Sequence, residues 1–333
     1  MKKVIVTGGA GYIGSHTIVE LLKSGYEVVS IDNFSNSKPE VFENIEKITG
    51  KKVENYNINL CDYKKLEELF KGKKFDAIIH FAAYKAVGES VSDPISYYKN
   101  NLDALMGILE VANLCEVSLF IFSSSAAIYD SNGIPPYNEQ SNINPASPYG
   151  KTKEIGEIIL SDYVSHKSNM KVCALRYFNP AGAHESLLIG ENPNGIPNNL
   201  VPIMTKLVKE GKEIAVFGDN YDTLDGTCIR DYIHVCDVAR AHILALRHLE
   251  QVDSSNNEVF NIGRGVGVSV LEMIKAFEDA NNIKVLYKIT DRRPGDVGTL
   301  YADTKKATEI LNFKPEYSII DIMKSAWEWE NKK

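Results

Sequence analysis

No run of about 18 apolar residues occurs anywhere in this 333-residue chain, so no transmembrane helix is expected. Long basic runs are also missing, and the formal net charge is −7. Binding through a nucleic-acid backbone is therefore not expected, and the pair Arg292-Arg293 is a local anion site at most. Cysteine is sparse: Cys61, Cys115, Cys173, Cys228 and Cys236 are odd in number and scattered. That pattern excludes a disulfide framework and fits reduced thiols in a cytosol. Cys228, His234 and Cys236 lack the spacing of a zinc site. His234 and Cys236 are expected to alternate along a strand, and no metal is expected. The segment Met1–Thr7 has no apolar signal core or cleavage site and is expected to enter a strand directly, which suits a cytoplasmic protein. No internal repeat and no low-complexity tract is found.

What is present is ordinary globular chemistry, with 44% apolar and 24% charged residues. The length suffices for a large core and two lobes. In the first half, short apolar runs alternate with helical stretches. Strands are expected at Lys3–Thr7, Glu27–Asp32, Val53–Ile58, Asp76–Phe81, Leu119–Ser123 and Val172–Tyr177. Helices are expected at Ile13–Ser24, at about Ile95–Cys115, and from Pro148 onward. This alternation with continuously apolar strands predicts an α/β fold, a Rossmann-type doubly wound parallel sheet. From about Asn179 to Asn199 the chain is rich in Gly, Pro and Asn, as a long ordered binding loop would be. Beyond it, helices at about Val201–Glu210, Cys236–Leu249, Val270–Ala280 and Thr304–Leu311, with short strands such as Val259–Ile262, predict a smaller α+β lobe. The expected division is residues 1–178 for a dinucleotide and 179–333 for a substrate, with the chain free to cross back.

Two motifs carry the chemistry. Thr7-Gly8-Gly9-Ala10-Gly11-Tyr12-Ile13-Gly14 follows a strand and opens a helix. Gly8, Gly11 and Gly14 permit a tight turn and close approach of a pyrophosphate to the helix N-terminus. Asp32 ends the second strand, 18 positions beyond Gly14. A carboxylate there accepts from a ribose 2′-hydroxyl and repels a 2′-phosphate, which favours NAD over NADP. The second motif is Tyr149-Gly150-Lys151-Thr152-Lys153. Residues four apart share a helix face, so the Lys153 ammonium is expected to favour a Tyr149 phenolate. Tyr163/Lys167 and Tyr301/Lys305 repeat the spacing, but only Tyr149 follows Ser147-Pro148, an N-cap and first-turn signal near a strand end. Ser123-Ser124-Ser125 follows the fifth strand, and open parallel sheets bind ligands at the carboxyl ends of their strands.

Together these residues resemble the extended short-chain dehydrogenase/reductases, and within them the UDP-glucose 4-epimerases, also called UDP-galactose 4-epimerases. The resemblance rests on TGGAGYIGSHT at 7–17, DN at 32–33, HFAAYKAVGES at 80–90 and FSSSA at 122–126. It continues through SPYGKTK at 147–153, RYFNPAGAH at 176–184, GIPNNL at 195–200, DGTCIRDYIHV at 225–235 and RRPGD at 292–296. It implies Tyr149 as base, Lys153 as its electrostatic partner and ribose ligand, and Ser125 as the hydroxyl sharing the proton. It implies NAD contacts at Tyr12, Ile13, Asp32, Asn33, Asn59, Leu60, Phe81, Lys85, Asn100 and Phe178, beside the glycines. It implies a nucleotide-sugar held by Lys85, Asn179, Asn199, Leu200, Phe217, Arg230, Arg293, Asp296 and Leu300, in a homodimer. Bidentate arginines suit a diphosphate on chemical grounds as well.

Three positions depart from the usual pattern of such proteins. Asn59 stands where an acid is common on the adenine side, and Asp130 replaces a glycine. Leu300 occupies a sugar-pocket position that is often tyrosine, and a smaller residue there goes with tolerance of an N-acetyl group. Two other functions share the scaffold. A nucleotide-sugar 4,6-dehydratase needs an acid–base pair just after Ser125, where this chain has Ala126-Ala127-Ile128. A non-catalytic NAD sensor has no reason to keep Ser125, Tyr149 and Lys153 together.

Overall fold

The computed structural model describes every residue except 1, 167–168, 196, 253–256 and 294–295. Lys167, Ile196, Pro294 and Gly295 of the motifs above thus lie outside the described residues. The first half runs β1 (Lys3–Thr7), α1 (Tyr12–Lys23), β2 (Glu27–Ile31), α2 (Glu40–Thr49), β3 (Glu54–Tyr56), α3 (Tyr63–Phe70) and β4 (Ala77–His80). Then come α4 (Val87–Ser92), α5 (Pro94–Leu114), β5 (Leu119–Ser125), α6 (Pro148–His166) and β6 (Lys171–Tyr177). The second half adds β7 (Asn179–Ala181), α7 (Leu200–Lys209), β8 (Ile214–Phe217), β9 (Ile229–Arg230), β10 (Tyr232–His234), α8 (Val235–Gln251) and β11 (Asn257–Ile262). It ends with β12 (Val268–Ser269), α9 (Val270–Asn281), β13 (Tyr287–Thr290), β14 (Thr299–Leu300), α10 (Lys305–Leu311) and α11 (Ile319–Lys332).

Seven strands pair in parallel in the order β11-β6-β5-β4-β1-β2-β3. Side chains alternate across this sheet, and both faces are covered. Val4, Val6, Ile79 and Ile121 pack with Ile18, Leu22, Val238 and Leu246 of α1 and α8. Ile5, Ile78, Phe120 and Val172 pack with Leu105, Ile108 and Leu160 of α5 and α6. Each fully buried Leu or Ile contributes roughly 1.5–3 kcal/mol, so the two layers hold the strand ends in fixed register. Strand order reverses at β1, which lies between β2 and β4, and the crevice at the carboxyl ends opens there. A third cluster, built on Val201, Met204, Val216, Met273, Phe277, Ile322 and Met323, forms the core of the second lobe.

The chain does cross back. After leaving for the second lobe it returns as α8, which packs on α1, and as β11, which pairs with β6 from Asn257↔Val172 to Ile262↔Tyr177. One sequence expectation is corrected. His234 ends β10 but Cys236 lies in α8, so the two do not alternate along a strand. His234 is instead the N-cap: its Nδ1 accepts the Cys236 N–H at 3.1 Å, and its ring stacks on Tyr317 at 4.1 Å. All five cysteines are free thiols.

Candidate active site

One large cavity, of about 780 Å³, runs along the carboxyl ends of the sheet. At one end the glycine-rich turn forms its wall. Gly8 has φ +68°, and a Cβ there would meet the Ala82 nitrogen at 2.9 Å. A Cβ on Gly14 would come within 2.2 Å of the Gly8 carbonyl, so only glycine lets α1 start this close to the turn. The N-cap of α1, Gly11, offers no side-chain cap, which leaves the first-turn N–H groups facing the cavity for an anion. Asp32 lines the same wall and is only 8% exposed. Its carboxylate accepts from the Ala10 N–H at 2.9 Å, the Phe34 N–H at 2.8 Å and the Ser37 hydroxyl at 3.0 Å. Asp32 therefore shapes the loop after β2 as well as presenting a negative charge there. Ile13, Asn33, Asn59, Leu60, Phe81, Asn100 and Phe178 join Gly8, Gly11, Tyr12 and Gly14 on this wall. The Asn59 carboxamide oxygen accepts the Cys61 N–H at 3.0 Å, which spends one acceptor on its own turn. The Tyr12 hydroxyl donates to the Gly182 carbonyl at 2.6 Å and ties α1 to the second lobe.

Ser125, Tyr149 and Lys153 meet in the middle of the cavity. Pro148 is the first residue of α6, and the Ser147 hydroxyl accepts the Gly150 N–H at 3.1 Å, as a capped N-terminus requires. The Ser125 hydroxyl accepts the Ala127 N–H at 3.1 Å and stands beside the Tyr149 phenol. Lys153 is 4% exposed, donates to the Ser123 carbonyl at 2.6 Å, and stands 5.8 Å from the centre of the Tyr149 ring. The electrostatics differ from the sequence expectation. Burial pushes the Tyr149 phenol above its ordinary range, and the neighbouring Ser125 hydroxyl only partly opposes this. The depressed group is Lys153, which burial brings down to about 7 against the upward pull of Glu157. Desolvation outweighs attraction here because both groups are deep in the protein. The lysine is therefore poised at neutral pH.

Lys85, Asn179, Asn199, Arg230 and Leu300 line the opposite end. Arg230 is set by bonds to the Ile229 carbonyl at 2.8 Å and the Gly298 carbonyl at 3.5 Å. Leu300 pairs with Arg230 across β14 and β9 and packs beside Tyr129, Tyr137 and Phe178. Four expected residues stand outside the cavity wall: Leu200, Phe217, Arg293 and Asp296. Leu200 opens α7. The Arg293 guanidinium lies 4.7 Å over the exposed Phe217 ring and pairs with Asp296 at 2.9 Å. Asp130 has a clear local role: its carboxylate accepts from the Asn132 N–H at 3.0 Å, folding the tight turn whose Gly133 N–H returns to the Asp130 carbonyl.

Sequence reasoning missed several wall residues. Glu191 reaches across the cavity mouth to Lys85 at 2.7 Å, and its backbone carbonyl accepts the Trp329 indole N–H at 3.2 Å. Neither has a local sequence signal. Asn101, next to the expected Asn100, holds Tyr84 on one side and Thr152 of α6 on the other. Among the described residues no three His, Cys, Asp or Glu side chains gather into a metal site.

The Epimerase profile, described as the NAD dependent epimerase/dehydratase family, matches residues 4–263. The chain is 45% identical over 332 residues to the UDP-glucose 4-epimerase of Pasteurella multocida, covering 99% of this chain and 97% of that one. The UDP-glucose 4-epimerase of Bifidobacterium longum, solved in complex with NAD+ and UDP, superposes with a TM-score of 0.94 at 46% identity, covering 100% and 99% of the two chains. The UDP-Glc/GlcNAc 4-epimerase of Campylobacter jejuni gives a TM-score of 0.86 at 36% identity over the full length of both chains. The matched span begins within β1 and ends just past β11, so it takes in the glycine turn, the serine-ended strand and the Tyr149 helix. With fold, site order and near-complete coverage in agreement, the chain belongs to the NAD dependent epimerase/dehydratase family.

Proposed function

We infer that this chain is an isomerase that interconverts UDP-glucose and UDP-galactose at C4 with tightly held NAD. The observation that carries the reading is the meeting of Ser125, Tyr149 and Lys153 in a cavity whose far wall is the glycine turn. The cavity fits NAD: glycines whose Cβ atoms would fill the turn, an uncapped helix N-terminus for the pyrophosphate, and the Asp32 carboxylate for the adenosine ribose. Bound NAD would supply the acceptor and donor of the hydride at the sugar C4, which leaves the proton to the chain's own groups. Tyr149 accepts the proton of the sugar O4 and gives it back after the 4-keto sugar has turned over in the pocket. Ser125 stands beside Tyr149 and shares that proton. Lys153, titrating near neutrality, supplies the positive charge that offsets the phenolate. A dehydratase would need a further acid–base pair after Ser125, and Ala126, Ala127 and Ile128 carry none.

Residues 1–178 serve the dinucleotide and 179–333 the nucleotide-sugar in this reading, with β11 and α8 lent back to the first lobe. Leu200, Phe217, Arg293 and Asp296 serve the nucleotide end of the sugar substrate from beyond the cavity wall. Leu300 lines the sugar pocket, and its short side chain admits an acetamido group, so UDP-N-acetylglucosamine is a second substrate. The protein works as a homodimer through α4, α5 and α6, whose outer faces leave Val87, Val91, Ile95, Met106 and Ile158 exposed. No helix among the described residues is long and apolar enough to cross a membrane, and the reading is of a cytoplasmic enzyme. Incubating the pure protein with UDP-galactose, with no cofactor added, tests the core of it. UDP-glucose must appear; its absence from protein that holds NAD defeats the reading.

A further inference from the structure

The three serines that end β5 each address a different residue on one stripe of α6. The Ser125 hydroxyl stands beside Tyr149, the Ser123 carbonyl takes the Lys153 ammonium at 2.6 Å, and the Ser124 hydroxyl donates to the Glu157 carboxylate at 2.5 Å. Tyr149, Lys153 and Glu157 stand four apart, which is one face of a helix. Glu157 is not on the cavity wall, and the mechanism above does not use it. It is held from a second strand as well. Arg176 of β6 grips it with two bonds, Nε to Oε1 at 3.0 Å and Nη2 to Oε2 at 2.6 Å. The remaining guanidinium nitrogen donates to the Tyr129 hydroxyl at 3.0 Å and the Glu139 carbonyl at 3.2 Å. The ion pair is nearly dry, with Arg176 3% and Glu157 12% exposed.

Resting on the epimerase reading, we propose that Glu157 is a positioning residue: clamped by Ser124 and Arg176, it fixes the register of α6 on β5 and places a negative charge behind Lys153. A buried ion pair of this kind adds little net stability but fixes geometry when its polar atoms are partnered, and each Arg176 nitrogen donates at least once here. The titratable groups round Lys153 are Tyr149 and Glu157 on α6 and His80 on β4, with Arg176 of β6 behind Glu157. Burial keeps His80 neutral near pH 7, with its pKa down to about 3, so Glu157 is the group that opposes the loss of the Lys153 proton. Removing its charge lowers the pH at which Lys153 becomes a neutral amine. The alkaline limb of kcat then moves to lower pH.

The test compares Glu157→Gln, Glu157→Asp and wild type by lysine-selective NMR titration and by kcat and KM against pH on UDP-galactose. In Glu157→Gln the Lys153 midpoint falls by about one pH unit, and kcat at pH 8 falls about tenfold while KM holds within about twofold. In Glu157→Asp the charge remains and the midpoint returns to the wild-type value. An unmoved midpoint in Glu157→Gln overturns the proposal, as does a loss of kcat that only follows a loss of folded protein. If Glu157→Gln does not fold, Ser124→Ala decides: it keeps both charges and cuts one arm of the clamp. Its kcat falls several-fold at constant KM, and an unchanged kcat overturns the proposal. The NMR midpoint needs no turnover, so wild-type protein inactive on UDP-galactose would defeat the epimerase reading and leave the Lys153 result standing.

Discussion

Lys153 donates to the backbone carbonyl of Ser123 and not to a side chain. That bond joins α6, which carries Tyr149, to the strand end that carries Ser125, and it does so through an atom no mutation can remove. It also explains why burial wins over attraction. The ammonium has traded water for one carbonyl and two aromatic faces, Phe122 at 5.0 Å and Tyr149 at 5.8 Å.

Tyr149→Phe keeps the ring and removes the hydroxyl that, in the proposed mechanism, exchanges a proton with the sugar. Turnover is expected to fall on the order of 10³-fold, with UDP affinity within about threefold of wild type. Steady-state kinetics and calorimetry with UDP check it, and near-normal turnover would remove Tyr149 from the proton path.

Lys153→Met tests the cost of the buried lysine. Its folded pKa is depressed to about 7, below the unfolded value, so the folded state prefers the neutral amine. Stability from this group is present above the unfolded pKa of about 10.4 and is lost as pH falls towards 7. The loss at pH 7 is on the order of 4 kcal/mol, partly offset in the variant by the orphaned Ser123 carbonyl. Net stabilisation of about 2 kcal/mol at pH 7 is expected, shrinking between pH 7 and 8.5. Denaturant titrations of both proteins across that window measure it; a variant that is less stable throughout contradicts the assignment.

Asp32→Ala removes the acceptor of three bonds as well as the charge at the ribose end. A stability loss of about 1–3 kcal/mol is expected from the orphaned Ala10 and Phe34 N–H groups. NAD affinity should drop at least about tenfold and discrimination against NADP should narrow. Titration of cofactor-stripped protein with each dinucleotide reads both effects. Equal preference in the wild type would show that Asp32 serves only the loop.

Leu300→Tyr narrows the sugar pocket beside Phe178 and Arg230. Turnover of UDP-N-acetylglucosamine should fall at least about tenfold, and that of UDP-galactose should stay within about threefold. Parallel rates on the two substrates decide it, and a wild type with no N-acetyl turnover defeats the substrate assignment.

Val91 and Ile95, 63% and 62% exposed on α4 and α5, carry the dimer reading. Val91→Glu with Ile95→Glu should give a monomer in sedimentation, since buried unpaired carboxylates oppose association. An unchanged sedimentation coefficient places the interface elsewhere.

Much of this was legible in the sequence because it depends on neighbours along the chain. Strands such as Lys3–Thr7 and the start of α6 at Ser147-Pro148 announce themselves through apolar runs and caps. The same holds for Gly8 and Gly14, whose spacing predicts the turn. The helices α2, α3, α4 and α11 were not foreseen: their polar faces look outward, and α2 fully buries only Ile45. The Tyr149 shift runs opposite to the expected sign because spacing gives proximity and says nothing of burial. Glu191, Trp329 and the Ser123 carbonyl are brought in by contacts across long stretches of chain or by backbone atoms, which no local pattern marks. Glu157 was within reach, four residues past Lys153, had the helix face been followed one turn further.

The return of the chain through β11 has a consequence for synthesis. When residue 178 leaves the ribosome, the dinucleotide half is complete in sequence, yet β6 still shows an unpaired edge and α1 lacks the α8 layer. The missing strand follows 84 residues later, at Ile262, roughly 4–17 s at bacterial to eukaryotic translation rates of roughly 5–20 residues per second. Throughout that interval the nascent chain carries a bare strand edge, Lys171–Tyr177, whose unpaired N–H and C=O groups are open to holding chaperones and misassembly alike. Ribosome-bound intermediates stalled before and after residue 262 should therefore differ sharply in protease resistance of the first half, although its own sequence is the same in both.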